Sequence, residues 1–171
     1  MRGGSKLALG HDALGEHEEA LELKRQGLQI ARETGNPLHV GLHLTGLGRS
    51  YLRYHQLDRA EDCFREAISI CDEMDTMSSG SCRSLLALVL ARGERFADAF
   101  QLLKEGEAQV VVSLFNHGKF LCIKGQVLHL AGDTVGASSA LVHARGIARE
   151  LSLSDKGELS EAIAELAELL G

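Results

Sequence analysis

The sequence predicts an all-α fold in which helical hairpins stack one on another. Apolar residues recur at steps of three and four, as on one face of a helix. The whole pattern repeats every 38–40 residues, and the 171 residues contain a single proline. Because proline breaks helix interiors, its scarcity favours long uninterrupted helices.

Composition argues against several classes of protein. Hydrophobic residues make up 44% of the chain and charged residues 25%, as in ordinary globular domains. No apolar run reaches the roughly 18 residues of a membrane-spanning helix, and the N-terminus lacks the apolar region of a signal peptide. The formal charge of −6 disfavours a nucleic-acid partner, which usually requires a basic surface. We therefore expect a cytoplasmic protein that binds neither membrane nor nucleic acid.

The clearest hairpin runs from Asn36 to Met74. Pro37 begins a helix behind the capping residue Asn36, and Gly35 ends the helix before it. Two apolar stripes follow, with a short polar turn between them. The first stripe contains Val40, Leu44, Leu47, Tyr51 and Tyr54, and the second contains Leu57, Ala60, Phe64, Ala67, Cys71 and Met74. Each stripe has the spacing of one helix face, so the segment is predicted to form two packed helices.

The same hairpin recurs along the chain. Aligned alanines stand 40, 39 and 38 residues apart, at Ala20, Ala60, Ala99 and Ala137. Small residues also recur seven positions later and twelve positions earlier, including Gly27, Gly48, Gly106 and Gly125. Such residues let neighbouring helices approach closely, which explains these glycines without any ligand. Gly15 and Gly132 are predicted to lie in the turns between paired helices, where glycine adopts a left-handed conformation most easily.

One domain, 1–171, is therefore expected. The repeats cover about 1–35, 36–75, 78–112 and 115–152, and a final helix at about 155–170 has Ser154 as a candidate N-cap. Predicted helices within the repeats span 5–14, 16–34, 37–54, 57–74, 79–92, 95–111, 116–131 and 134–151. The valine run 110–112 resembles a buried strand, but no partner strand is apparent, so a helix end with a linker is favoured. Because the first helix contains several glycines, it either frays or follows further upstream chain, and we favour the second.

These positions resemble the tetratricopeptide repeat. The second repeat carries Leu47, Gly48, Tyr51, Ala60, Phe64 and Ala67; the first Leu7, Ala8, Gly15, Ala20, Gly27 and Leu28; the third Leu86, Ala87, Phe96, Ala99, Leu103 and Gly106; and the fourth Gly125, Gly132, Ala137, Leu141 and Ala144. The period exceeds the usual repeat of roughly 34 residues, and is similar to the long repeats of kinesin-light-chain-like and bacterial signalling proteins. The resemblance implies a right-handed α-solenoid, or superhelix, of four hairpins plus a C-terminal capping helix.

No residue pattern predicts an enzyme or a cofactor. His39 and His43 lie four residues apart, a spacing that lets two imidazoles share a metal, but no third ligand is apparent. Ser-His-Asp spacing and phosphate-binding loops are also missing. The four cysteines form no CxxC pair, so buried thiols in a reducing compartment are expected at Cys63, Cys71, Cys82 and Cys122. We predict a non-enzymatic protein with no metal site.

The candidate site is the inner groove of the solenoid. In tetratricopeptide arrays the first helix of each hairpin lines this groove, and this implies a site of Thr45, Arg49, Arg53, Arg92, Lys119, Gln126 and His129. Arg49 and Arg53 stand one helical turn apart, so their side chains project together. The four basic residues predict a basic groove on an acidic protein. Either a partner carboxylate or phosphate compensates these charges, or acidic neighbours such as Asp58, Glu61 or Asp98 do.

Three functional hypotheses follow. The first is a protein–protein interaction scaffold that binds a peptide or protein, with an acidic segment as the candidate ligand, in its groove. The second is a C-terminal regulatory or sensor region of a larger bacterial signalling protein, such as a kinase, cyclase or transcription regulator, which the phrases LLKEGEAQV and AGDTVGASSAL resemble. The third is a homodimer through the uncapped N-terminal repeat, because open solenoid ends expose apolar surface.

Overall fold

The computed structural model describes the backbone of residues 5–74, 76–152 and 157–171, and the side chains of residues 15–74, 77–152 and 157–171. These residues form eight α-helices and no strand. The helices are α1 (Ser5–Thr34), α2 (Pro37–Arg53), α3 (Leu57–Met74), α4 (Thr76–Arg92), α5 (Phe96–Val110), α6 (Leu114–Leu130), α7 (Thr134–Glu150) and α8 (Glu158–Leu170). The all-α prediction is confirmed. No described helix is both long and apolar enough to cross a membrane.

Three consecutive helix pairs form hairpins, namely α2–α3, α4–α5 and α6–α7. The second helix of each hairpin also contacts the first helix of the next element, so the hairpins stack in chain order. The first helices contact one another as well, from α2 through α4 and α6 to α8. The C-terminal helix α8 packs on α6 and α7, in the position that a further first helix would take. This arrangement is an α-solenoid with α8 at its C-terminal end.

The predicted N-terminal hairpin is wrong. The helix α1 is continuous from Ser5 to Thr34, so Gly15 lies inside a helix instead of in a turn. A single glycine in a helix interior costs about 1 kcal/mol relative to alanine, which does not force a break by itself. Glu16, which follows this glycine, is a good helix former and favours continuation of the helix. By contrast, Gly132 is followed by Asp133, whose side chain caps α7.

Three similar turns connect the paired helices. Each has a central residue in the left-handed conformation: His55 (φ 58°), Glu94 (φ 61°) and Gly132 (φ 85°). In all three, the amide after this residue donates to a carbonyl five residues earlier, at 2.9 Å. The left-handed prediction for Gly132 is therefore confirmed. The other two turns adopt the same conformation without glycine.

Local signals at other helix ends are also confirmed. Asn36 accepts a hydrogen bond from the amide of Leu38 at 3.1 Å, and Pro37 is the first residue of α2. The helix α5 ends at Val110, and the next two valines lie in the turn before α6, as the linker interpretation required. The predicted cap Ser154 lies outside the described residues.

Small residues permit the closest helix contacts, as the repeat pattern indicated. A Cβ atom on Gly48 would lie 2.8 Å from the Phe64 ring, between α2 and α3. A Cβ atom on Gly125 would lie 2.6 Å from Leu166, between α6 and α8. Both glycines are therefore explained by packing. The four cysteines are buried and form no disulfide, which confirms the prediction of buried thiols.

Candidate functional site

The first helices of the hairpins enclose a groove on one side of the solenoid. Its first cavity, of about 470 Å³, is lined by residues of α2, α4, α6 and α8. A second cavity, of about 550 Å³, adjoins it and shares Arg49, Lys119 and Glu158 with it. We call these two cavities the groove. Apart from Cys71 of α3, their linings come from first helices and α8.

Most of the predicted site residues meet in this groove. Those in the first cavity are Arg49, Arg53, Arg92, Lys119 and Gln126. Thr45 lines the second cavity, where its hydroxyl donates to the Gly41 carbonyl at 2.8 Å. His129 lines neither cavity. Its Nδ1 atom is buried and has no hydrogen-bond partner among the described residues.

Three arginines form the basic wall of the groove. Arg49 and Arg53 are exposed, and neither makes an ion pair with any described residue. Arg92 is more deeply placed, and its Nη1 donates to the Leu52 carbonyl at 3.1 Å. Burial lowers the pKa of the Arg92 guanidinium from its ordinary value. A partly desolvated cation without a carboxylate is costly, so an incoming anion would be favoured at this wall.

The acidic residues that the sequence suggested as internal partners do not contact this wall. Glu61 accepts hydrogen bonds from Arg65 and Arg95, at 2.6 Å and 3.1 Å. Asp98 pairs with Arg95 at 3.4 Å, and Asp58 has no ion pair within the described part of the chain. None of these carboxylates lines the groove. The explanation by internal pairing with them is therefore wrong.

The helix α8 contributes an acidic wall that the sequence analysis missed. Glu158, Glu161 and Glu165 line the first cavity together with the arginines of α2 and α4. Lys119 donates to Glu158 at 2.8 Å, and this hydrogen bond lowers the pKa of the Glu158 carboxyl. Glu161 and Glu165 make no ion pair in the described chain. The groove is therefore bipolar, and the sequence predicted only its basic part.

The floor of the groove is apolar. Leu52, Leu85, Leu88 and Cys122 line the first cavity and are buried by their own helix contacts. An apolar floor between charged walls suits an amphipathic segment of a partner, because the apolar side chains lose water while the charged ones meet opposite charges.

The two histidines with metal-like spacing lie on α2. His43 packs beside α1, where its ring would lie 2.9 Å from a Cβ atom on Gly27. Among the described side chains, no three His, Cys, Asp or Glu residues are grouped closely enough to hold a metal ion.

Comparisons with known proteins agree with the geometry. A family model described as tetratricopeptide repeat matches residues 5–73, whereas a search of curated protein sequences finds no match. The fold is similar to the crystal structure of BtubC (BKLC) from P. vanneervenii, a kinesin-light-chain-like protein, with a TM-score of 0.64 and 18% identity. That similarity covers 89% of this chain but 64% of the other, so the chain spans less than two thirds of that protein. Residues 5–73 thus match the tetratricopeptide repeat, and the chain as a whole has an all-α helical-repeat fold similar to that structure.

Proposed function

We propose that the protein is a non-enzymatic scaffold that binds a peptide or protein partner in the groove. Tetratricopeptide repeats generally mediate protein–protein interaction. The observation that carries the proposal is the basic wall, where Arg49, Arg53 and Arg92 make no ion pair with a carboxylate of the described residues. Like charges placed together reduce stability slightly, and an acidic ligand would offset this cost.

The bipolar groove narrows the chemistry of the ligand. An acidic part of the ligand would lie against the arginines, and its apolar face would cover the groove floor. Glu161 and Glu165, which line the same cavity, would accept a basic residue of the ligand. The expected ligand is therefore an acidic amphipathic segment that carries a basic residue at one edge, and not a nucleic acid or a membrane surface.

A displayed random-peptide library provides a test that does not require the natural partner. Ligands selected against the wild-type protein should be rich in aspartate or glutamate. For the best synthetic peptide, Arg49→Glu and Arg53→Glu should each raise the Kd at least about tenfold, because a favourable charge contact becomes repulsive. Fluorescence anisotropy measures this change.

Lys104→Glu is the matched control, since it changes the net charge by the same amount on α5, which lines neither groove cavity. Its Kd should equal that of the wild type. The triple variant with glutamate at Arg49, Arg53 and Arg92 should lose binding while its circular dichroism stays helical. Full binding by the triple variant would place the site on another face.

A second candidate function is that of a C-terminal regulatory or sensor region in a larger bacterial signalling protein. The long repeat and the two phrases noted above favour this interpretation. The protein would then act in the cytoplasm. Sequencing the gene upstream of Met1 tests the idea, because an open reading frame with a signalling domain is expected there. A stop codon followed by a native start would contradict it.

Self-association through the N-terminal helix is a further possible form of partner binding. Leu23 and Ile30 of α1 are 63% and 60% exposed, which is unusual for large apolar side chains one heptad apart. Light scattering should show association that is lost when a capping helix is fused ahead of Ser5. A monomer in both proteins would exclude this interaction.

A further inference from the structure

By the repeat offset, residues 16–34 of α1 align with the second helices α3, α5 and α7, but no described first helix precedes α1 and packs beside it. Among the described residues α1 packs along α2 and reaches α3 only through the Arg32–Glu66 ion pair, whereas α3, α5 and α7 each pack along two helices. The aligned alanines differ in exposure as a result. Ala60, Ala99 and Ala137 are 0% exposed because a first helix covers them, but Ala20 is exposed. One face of α1 therefore lacks the cover that its counterparts have.

The uncovered face of α1 is apolar with an acidic edge. By the repeat offset, Leu23 corresponds to Cys63 and Ala140, which are both buried. Leu23 and Ile30 lie seven residues apart, so they share this face with Ala20. Glu16 and Glu19 stand along its edge and make no ion pair with any described residue. The face is suited to a helix that brings apolar side chains and positive charge.

At the opposite end of the solenoid, a first helix lacks a second helix among the described residues. The helix α8 takes the position of a first helix and contacts α6 and α7. The first helix α6 pairs with α7 as its second helix, but no described second helix pairs with α8. A cavity of about 530 Å³ lies between α7 and α8 where such a second helix would pack. Ile163, Ala164 and Ala167 line it from α8, and Arg145 and Arg149 line it from α7. Neither arginine has an ion pair within the described chain.

Ion pairs already connect successive second helices inside the solenoid. Arg32 of α1 pairs with Glu66 of α3 at 2.9 Å. Arg95, just before α5, pairs with Glu61 of α3 at 3.1 Å. A helix packed beyond α7 would therefore meet charged side chains of α7, and Arg145 and Arg149 favour an acidic helix there.

We propose that α1 of one copy packs in the α7–α8 cavity of another copy, so that the chains associate head to tail. This inference rests on the self-association proposed above and specifies its geometry. The helix α8 would act as the missing first helix for α1, with Leu23 and Ile30 against Ile163 and the alanines of α8. Glu16 and Glu19 would face the two arginines of α7. The groove would then continue from one copy into the next.

This geometry differs from a symmetric dimer. Two different surfaces meet, so the contact is heterologous and generates either a closed ring or an open filament. A symmetric dimer through α1 would instead bury the same face from both copies and leave Arg145 and Arg149 uninvolved. Charge reversal can separate the two arrangements because the opposite charges lie at opposite ends of the chain.

Sedimentation velocity across a concentration series of the full chain tests the proposal. The wild type should form species larger than a dimer as concentration rises. Glu16→Arg with Glu19→Arg should weaken association at least about tenfold, and so should Arg145→Glu with Arg149→Glu. The chain with all four substitutions should recover affinity to within about threefold, because the opposite charges are restored in exchanged positions. Lys104→Glu should have no effect.

Three outcomes would overturn the proposal. The wild type could be monomeric at every concentration. Reversal of the two arginines could have no effect while reversal of the two glutamates abolishes association, as a symmetric α1 dimer requires. The quadruple variant could fail to recover although its circular dichroism and urea midpoint match those of the wild type. Each variant should still bind the groove peptide, so failure here is distinguishable from failure of the groove proposal.

Discussion

The helix α2 has two faces that differ in their tolerance of change. On the packing face, Leu44 and Leu47 are buried, and Gly48 leaves no room for a methyl group beside Phe64. On the groove face, Leu42 is exposed and a Cβ atom on Gly46 would meet no atom within 4 Å. The packing face is therefore fixed by the fold, whereas the groove face is free to be selected for binding.

Charged residues show the same contrast. Between α5 and α6, Glu107 accepts hydrogen bonds from His117 Nε2 at 3.1 Å and Lys124 Nζ at 2.6 Å. In the groove, Arg49 and Arg53 have no such partner in the described chain. The charge of Glu107 is thus paired within the protein, whereas Arg49 and Arg53 make no ion pair with a described residue, which supports the proposed groove ligand.

Substitution of glycine by alanine on the packing face of α4 and on the groove face of α2 gives the largest expected difference in stability. A Cβ atom on Gly80 would lie 2.7 Å from the backbone oxygen of Gly106, which cannot move away as a flexible side chain can. Gly80→Ala should therefore destabilise the protein by about 3 kcal/mol. Gly46→Ala should stabilise it by up to about 1 kcal/mol through helix propensity. Urea denaturation measures both, and equal effects would contradict the distinction between the faces.

Removal of charges should give the next largest difference. Glu107→Ala leaves the buried His117 ring and the Lys124 ammonium without their shared acceptor, which should cost about 1.5–3 kcal/mol. Arg53→Ala should change the free energy of unfolding by less than about 0.5 kcal/mol, as for an ordinary surface residue. Peptide binding should show the reverse order, since only Arg53 lines the groove. A stable Glu107 variant would show that this carboxylate is not a structural element.

Acid should weaken the contacts between hairpins. Hydrogen bonds from Arg83 hold the pKa of Asp72 below its usual value. Burial would raise the pKa of Glu107, but hydrogen bonds from Lys124 and His117 outweigh it and lower this pKa as well. Because both folded-state values are lowered, their stabilisation is complete above the unfolded values of about 4 and is lost as pH falls through the folded values.

Urea midpoints measured from pH 7 to pH 3 test this pH dependence. The wild type should lose stability as the solution becomes more acidic, and Asp72→Asn should lose less over the same range because one linked proton is removed. The variant should be less stable than the wild type at pH 7. Parallel curves for the two proteins would exclude Asp72 as a source of the pH dependence.

The turns, which belong to neither face, should give the smallest effects. His55 and Glu94 adopt left-handed conformations that favour glycine. Replacing either by glycine should change stability by less than about 1 kcal/mol, with relief of strain opposed by greater freedom in the unfolded chain. Gly132→Ala should destabilise by about 1 kcal/mol, since it introduces the same strain. Thermal unfolding of the three variants measures these differences.

The repeat pattern predicts most of the helices and the basic wall of the groove, but not its acidic wall. Because the repeats share one register, the helix phases that bury Leu44 and Leu47 also place Arg49 and Arg53 on the opposite side. The acidic wall could not be found this way, since α8 follows the last repeat and its orientation depends on packing against α6 and α7. The spacing of Glu158, Glu161 and Glu165 does indicate one helix face, and this was the available signal.

Two predictions failed for local reasons. The glycine at position 15 was interpreted as a turn because it aligns with turn residues, yet one glycine does not force a break and α1 continues through it. His129 was placed in the groove from its helix position, but it lies in the last turn of α6 and its Nδ1 atom is buried away from both cavities. Alignment assumes that a residue has the same surroundings in every repeat. This assumption fails most easily near the ends of helices.

Labelling of the buried thiols can measure how often individual parts of the solenoid open. Alkylating reagents react with thiolates, and burial raises the pKa of Cys63 to about 11 and that of Cys122 to about 12. Labelling must therefore wait until a hairpin opens, so chains that retain one cysteine each would report opening at α3, α4 or α6 separately. A peptide in the groove should slow labelling at Cys122, which lies on the groove floor, more than labelling at Cys63.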